Sequence, residues 1–321
     1  MNKLLLALVH VGALVGLQTA HYSHAAQSDE LNGTLKKIKE KGVIVLGVRD
    51  STKPFSYLND KQDYEGYAVD LCLSIAKTIQ RKLGMSQLTI SMVPVTSSSR
   101  IPLIQNGTVD IECGNTTNTA ERQNIVEFSP TYYVSGSRLL SKRASNIQSL
   151  ADLRGKKLVI NSGTTHIKMV TMLNDEQKLG IDIIASRDTA EGMLAVETGR
   201  AAAFMNDDIV LASLAGSSKI KNELGVGKDA LSVEPFGLIY RKNDPAFKQV
   251  VDGSIANIFK SGDINKIYAK WFQSPSLPHG QNLNWPMSPE TQAAIAKISN
   301  SPNPADYAPL PKEQLSLVRK K

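Results

Sequence analysis

Apolar and polar positions alternate along this chain in two rhythms. Val43-Ile44-Val45-Leu46-Gly47-Val48 is a continuous β-branched run, the pattern of a strand buried on both faces of a parallel sheet. Leu71, Ile75, Ile79 and Leu83 then recur at intervals of four and predict a helix over 67–83. Strand-like runs follow at 88–93 and 109–111, separated by a short helix at 101–105 that tolerates Pro102 in its first turn. Asn118 or Thr119 can cap the helix that carries Glu121 and Arg122.

After Ser137-Arg138-Leu139-Leu140 the series begins again. A short helix at 149–155 ends on a glycine, a strand covers 157–160, and Asn161-Ser162-Gly163-Thr164-Thr165 turns into a helix from His166 onward. Strands at 181–184 and 201–205 each lead into a helix, and a strand at 236–240 precedes two closing helices that end at Phe272. Beyond Pro275 the chain is rich in Pro, Ser and Asn, with one helical stretch at 289–298, and is expected to pack loosely or to be partly disordered. This alternation marks an α/β architecture with mostly parallel sheets flanked by helices. A unit that restarts and then returns predicts two lobes joined by a two-strand hinge, with 137–141 and 238–241 as the crossover candidates. The division expected is a first lobe of 26–138 with 239–274, a second lobe of 139–238, and a C-terminal tail of 275–321.

The first 25 residues fall outside that scheme. Met1-Asn2-Lys3 supplies a positive start, 4–17 is apolar apart from His10 and small residues, and Ser23-His24-Ala25 offers small residues for cleavage. The run is too short and too rich in Gly and Ala for a membrane span. No cysteine lies in it or just after it, which argues against a lipid anchor. A signal peptide cleaved near Ala25 predicts a free exported protein, which in a bacterium means the periplasm. Removing 25 of the 321 residues leaves 296, enough for two lobes.

The formal net charge of +7 is diffuse: Lys36, Lys37, Lys39 and Lys41, and the terminal Arg319-Lys320-Lys321, have no interleaved aromatics. A solvated surface accounts for them better than nucleic-acid binding. Cys72 and Cys113 are the only cysteines, and an oxidising compartment leaves open a disulfide between them or two buried thiols. Neither they nor the five histidines show metal-ligand spacing, and no cofactor is expected.

Candidate chemistry gathers at strand ends. Ser97-Ser98-Ser99-Arg100 and Gly114-Asn115-Thr116-Thr117-Asn118-Thr119-Ala120-Glu121-Arg122 each place small hydroxyl or amide side chains before an arginine, where a strand-like run gives way to a helix-like one. Hydroxyls, loop N–H groups and a guanidinium converging on one point are what a carboxylate needs to leave water. Arg49 ends a third strand in the same half of the chain. Three arginines so placed point to a ligand with more than one carboxylate, bound outside the carboxyl ends of the strands.

Several segments, in order, resemble a known family: Gly42 to Arg49 in sequence, Pro54-Phe55-Ser56-Tyr57, Arg100-Ile101-Pro102-Leu103-Ile104-Gln105-Asn106-Gly107-Thr108-Val109-Asp110, Glu112-Cys113-Gly114-Asn115-Thr116-Thr117, Glu121-Arg122-Gln123, Ser162-Gly163-Thr164-Thr165, Gly199-Arg200-Ala201-Ala202-Ala203-Phe204-Met205-Asn206-Asp207-Asp208 and Tyr240-Arg241-Lys242-Asn243-Asp244-Pro245. Over 35–272 the chain resembles the periplasmic solute-binding proteins of polar amino-acid ABC importers, bacterial extracellular solute-binding protein family 3, and most of all the glutamate/aspartate-binding members. The resemblance implies the type II periplasmic-binding-protein fold and a monomer that closes its lobes on an acidic amino acid and delivers it to an inner-membrane ABC permease. It implies that Arg122 clamps the α-carboxylate, helped by Thr117 and the Thr164/Thr165 turn at a helix N-terminus. Asp207 would receive the α-ammonium with the Asn115 carbonyl beside it, while Arg49, Ser97 and Arg100 face the side chain. Two buried arginines there would be uncompensated unless a distal carboxylate arrived, which argues for glutamate or aspartate.

The bland alternatives are a surface helical Arg122, a helix-capping Asp207, and an Arg49 paired with Asp50 or Glu65. Two departures from the family pattern stand out. Arg187-Asp188-Thr189 has Thr189 where glutamate/aspartate binders carry a histidine, which leaves the preference between the two acids open, though Thr189 can still donate a hydrogen bond. Ala68 replaces an acidic residue at a helix start, a change read as structural. Other functions remain in view: a receptor for another polar amino acid such as glutamine, a sensor, or a same-fold periplasmic dehydratase acting on a cyclic carboxylate, for which Glu112, Glu121 and Glu191 are the acid/base candidates. There is no Ser/His/Asp order, and Gly163-Thr164-Thr165 lacks the lysine and spacing of a phosphate loop, so no catalysis is expected.

Overall fold

Two mixed sheets carry the architecture, in a computed structural model that describes residues 31–307. The signal-peptide expectation and the last part of the tail lie outside the described residues. The first sheet runs in the order Thr89–Pro94, Val43–Val48, Ile111–Glu112, Ile239–Arg241, Val126–Phe128. Its first three strands are parallel, and Ile239–Arg241 is antiparallel to both neighbours. The second sheet runs Asp182–Ser186, Lys157–Asn161, Ala203–Asp207, Tyr133–Lys142, Leu224–Val226, again with its first three strands parallel. Tyr133–Lys142 is antiparallel to Ala203–Asp207 and to Leu224–Val226, and it also pairs with Val233–Phe236. A small antiparallel ribbon of Ser51–Thr52, Ser56–Leu58 and Tyr64–Glu65 lies beside the first sheet in sequence.

The helix expected at 67–83 is Tyr67–Lys82, and it buries Leu71, Ile75 and Ile79 as the four-residue spacing requires. Thr119 is the cap of Ala120–Gln123, its side chain accepting the Arg122 N–H at 3.2 Å. Cys72, on the Tyr67–Lys82 helix, and Cys113, just past Ile111–Glu112, are joined by a disulfide with their Cα atoms 6.1 Å apart.

The chain passes between the sheets at 129–132 and returns at 237–238, upstream of the crossover expected at 137–141. Residues 137–141 lie inside Tyr133–Lys142, because Leu139 and Leu140 belong to the second sheet's cores. The two passages are tied together: the Ser129 N–H donates to the Leu238 carbonyl at 2.9 Å and the Tyr132 N–H to the Phe236 carbonyl at 3.0 Å. Just beyond them Tyr133 and Phe236 enter a buried aromatic cluster with Phe55, Tyr67, Tyr268 and Phe272, whose rings include a Phe55–Phe236 edge contact at 5.4 Å and a Tyr133–Phe272 stack at 5.3 Å.

The C-terminal segment departs from its expected looseness. As far as Tyr307 it is fastened to the crossover. The Thr131 N–H donates to the Ser299 carbonyl at 2.9 Å, the Val134 N–H to Thr291 Oγ1 at 3.0 Å, and the Asn118 and Gln123 side-chain amides each donate to the Asn300 carbonyl at 2.8 Å. Small Ala293 and Ala294 on the helix Pro289–Lys297 let it lie close against Tyr133–Lys142, and Tyr307 is fully buried. A composition rich in Pro, Ser and Asn hid these contacts because they run through backbone carbonyls, one hydroxyl and small side chains rather than an apolar stripe. Among the described residues no helix is long and apolar enough to cross a membrane.

Candidate functional site

The carboxyl ends of the parallel strands of both sheets face one narrow polar cavity. Arg49 follows Val43–Val48, Ser97 and Arg100 follow Thr89–Pro94, and Asn115 and Thr117 follow Ile111–Glu112. From the second sheet come Thr164 and Thr165 after Lys157–Asn161, Thr189 after Asp182–Ser186, and Asp207 at the end of Ala203–Asp207. All nine line the cavity, together with Thr52, Asn161, His166 and Asn206. Arg122 is the one expected residue not on its wall.

One end is cationic. Arg49 and Arg100 are 3% and 2% exposed, so neither charge is relieved by bulk water. Arg49 Nη2 donates to Ser97 Oγ at 3.0 Å and Nη1 to Asn115 Oδ1 at 3.4 Å. Neither Asp50 nor Glu65 pairs with it, because Asp50 accepts the Tyr64 hydroxyl and Glu65 the Tyr57 hydroxyl. Arg100 Nη1 stands 4.0 Å from Glu112 Oε1, and its Nε has no partner. Burial, with the charge of Arg100, pushes Arg49 down to about 10, and burial also lowers Arg100. Among the described residues Arg100 has only the 4.0 Å contact with the Glu112 carboxylate and Arg49 has none within bonding distance, which leaves this end short of directly paired negative charge.

The opposite wall is anionic. Asp207 stands at the cap position of the helix Asp208–Ser217, yet its side chain makes no capping bond. Its Oδ2 accepts the Asn115 amide at 2.6 Å and its Oδ1 has no partner. Asp208 is turned elsewhere, accepting the Ser135 hydroxyl at 2.7 Å. Burial, then the nearby Glu234, raise the Asp207 carboxyl well above its usual range. Arg122 sits behind Thr117, with Nη1 donating to the Thr117 carbonyl at 2.9 Å and Nη2 to the Gly163 carbonyl at 3.0 Å. Burial and the charge of Arg100 push it down to about 9.

Several contacts join loops of the first sheet to loops of the second. Besides Arg122 to Gly163 and Asn115 to Asp207, the Thr52 and Thr189 hydroxyls meet at 3.4 Å. Gly163, at φ +76°, comes so close to the Ser97–Ser98 backbone that a Cβ would stand 2.6 Å from Ser98 Cα. Thr164, whose hydroxyl donates to the Asn161 carbonyl at 2.7 Å, leaves the N-terminus of the helix Thr165–Glu176 without a side-chain cap. Its N–H groups are therefore free for an anion.

Thr52, Asn161, His166 and Asn206 were not singled out from the sequence. Asn161 ends one parallel strand and Asn206 is the penultimate residue of another, so the strand-end rule could have found them; Thr52 arrives through the small ribbon, which carries no such signal. The acid/base candidates are dispersed. Glu112 is buried behind the wall, Glu121 is exposed on Lys168, and Glu191 accepts the Arg187 N–H at 2.8 Å. Among the described residues no cluster of His, Cys, Asp and Glu is placed to hold a metal ion.

Residues 44–274 match the family model of the bacterial extracellular solute-binding proteins, family 3. The chain belongs to that family. As a family 3 solute-binding protein it has the two-lobed type II periplasmic-binding fold, each lobe built on one of the two sheets. It is 46% identical over 270 residues to the L-glutamate/L-aspartate-binding protein of Pseudomonas aeruginosa, covering 84% of this chain and 89% of that one. It is 40% identical over 272 residues to the glutamate/aspartate import solute-binding protein of Escherichia coli, covering 84% and 90%. Among solved structures it is similar to the ancestral amino acid-binding protein AncCDT-1, a precursor of cyclohexadienyl dehydratase. That similarity has a TM-score of 0.62 and 30% identity, over 75% of this chain and 99% of the other.

Proposed function

We propose that this solute-binding protein captures glutamate or aspartate in the periplasm by closing its lobes, and hands it to an inner-membrane ABC permease. The observation that carries the reading is the pair Arg49 and Arg100: buried, lining the cavity, and short of a carboxylate. Removing an ionised group from water without a partner costs several kcal/mol, and a distal carboxylate between the two guanidiniums offsets that cost where an amide does not. The ligand α-carboxylate lies toward Thr117, Arg122 and the uncapped start of the helix Thr165–Glu176. The α-ammonium lies on Asp207 Oδ1, where its charge favours the ionised carboxylate that burial disfavours. Asn115 links the two ends, bonding Arg49 and Asp207 at once. Thr189 contributes its hydroxyl from the second lobe.

Relatives named for glutamate/aspartate binding, at 46% and 40% identity, support this ligand class, and the second is named for import. The lobes divide at the paired passages, with 31–128 and 239–274 in one and 133–236 in the other. The reading is checked by calorimetric titration of the ligand-stripped protein with glutamate, aspartate, glutamine and asparagine. At least one acid is expected to bind about a hundredfold or more tighter than its own amide, the loss of a charge-assisted pair. Amides binding as tightly as the acids would overturn the distal-carboxylate assignment.

A further inference from the structure

His166 opens the helix Thr165–Glu176, is 3% exposed, and lines the cavity. Neither of its ring nitrogens has a hydrogen-bond partner, and neither has Asp207 Oδ1, which lies 3.5 Å from His166 Nε2. The surrounding acceptors are already engaged. Asp207 Oδ2 holds the Asn115 amide, Glu234 Oε2 holds the Thr165 hydroxyl at 3.0 Å, and Glu234 Oε1, 3.9 Å from Nε2, holds the hydroxyls of Ser137 and Ser232. A buried imidazole that bonds nothing, beside a carboxylate oxygen that bonds nothing, marks a position meant for a third group. Burial, with Arg122 and Arg100, lowers the imidazole below its usual range against the opposing pull of Glu234. That shift favours the neutral ring, which presents one lone pair. Once an ammonium holds Asp207 ionised, Oδ1 and the imidazole lone pair are two acceptors 3.5 Å apart, spaced for a single nitrogen carrying several N–H donors at about 2.8–3.0 Å from each.

We propose that His166 is a recognition residue for the ligand ammonium, accepting one of its N–H bonds while Asp207 Oδ1 accepts another. The inference rests on the reading of Asp207 as the ammonium acceptor. It makes His166 a determinant of selectivity for an amine-bearing acid over a plain dicarboxylate, which has the same two carboxylates and no nitrogen.

The test is calorimetric titration of the purified protein with glutamate against glutarate, and aspartate against succinate, in the wild type and in His166→Leu, His166→Asn and Asp207→Asn. The amino-acid-to-dicarboxylate affinity ratio is expected to fall about tenfold in His166→Leu, through weaker amino-acid binding, and to recover in part in His166→Asn, whose amide oxygen accepts a hydrogen bond. A ratio in His166→Leu equal to the wild type, or an equal loss for both ligands, assigns the ring to packing and overturns the proposal. If Asp207→Asn collapses the ratio while His166→Leu leaves it intact, the His166 inference alone fails. If Asp207→Asn leaves the ratio intact, the Asp207 reading beneath it fails. Should His166→Leu not fold, as judged by its thermal melt, His166→Ala, which also carries no acceptor, makes the same comparison.

Discussion

Arg49, Arg100 and Asp207 are each costly to bury alone: Arg100 Nε and Asp207 Oδ1 have no partner among the described residues, and the guanidinium of Arg49 bonds the uncharged Ser97 and Asn115. A zwitterion with a second carboxylate supplies what is missing at both ends. Asp207→Ala and Arg122→Ala are each expected to weaken binding of the acidic amino acid by about 2–5 kcal/mol, the range for one partner of a desolvated charge pair. Titration calorimetry reads this, and near-native affinity in either variant would remove that residue from the account. Arg122 acts from behind the wall, so part of its effect comes from the Thr117 and Gly163 carbonyls that it holds. The residues of the site were legible where a strand ends in a polar turn, as at Arg49, Ser97, Arg100 and Asn115. His166 was not, because a lone histidine at a helix start reads the same whether it packs or binds. Glu234 was not either: it reaches the site through the pairing of Val233–Phe236 with Tyr133–Lys142, which no local pattern encodes.

The elements follow from periodicity wherever one sheet and its helices decide them. Leu71, Ile75 and Ile79 fix the helix Tyr67–Lys82, and the β-branched run fixes Val43–Val48. The limits of such reading show at the crossover and the tail. Residues 137–141 continue an apolar strand into the second sheet, so the passage falls before Tyr133, where the aromatic cluster anchors it. The segment after Pro275 holds its place through carbonyls and small side chains rather than an apolar stripe, and composition cannot register that. Cys72 and Cys113 bind the long helix to the end of a strand that opens onto the site, with 41 residues of sequence separation. Replacing both with alanine is expected to lower unfolding stability by about 4 kcal/mol, on the chain-entropy account of a loop of that length. Denaturant unfolding measures this, and an unchanged midpoint would show that the bridge constrains little.

Over the whole molecule the function is a closure, and Gly163 sits at a close approach of the two lobes. Gly163→Ala adds a Cβ 2.6 Å from Ser98 Cα and 2.7 Å from the Ser97 carbonyl oxygen, at a φ of +76°. The left-handed backbone alone costs about 1–2 kcal/mol in a non-glycine residue. The variant is therefore expected to bind more weakly and to keep a larger radius of gyration at saturating ligand, as read by solution scattering. Compaction equal to the wild type would show that the approach at Gly163 is not needed for closure. The central claim is that an acidic amino acid lies across the cavity with its side-chain carboxylate on the arginine pair and its ammonium on Asp207. A crystal structure of the glutamate or aspartate complex tests it most directly. The account predicts the distal carboxylate about 3 Å from the guanidiniums of Arg49 and Arg100, with the ammonium nitrogen at the same distance from Asp207 Oδ1. A ligand lying in the reverse direction, or bound with no contact to either arginine, would contradict it.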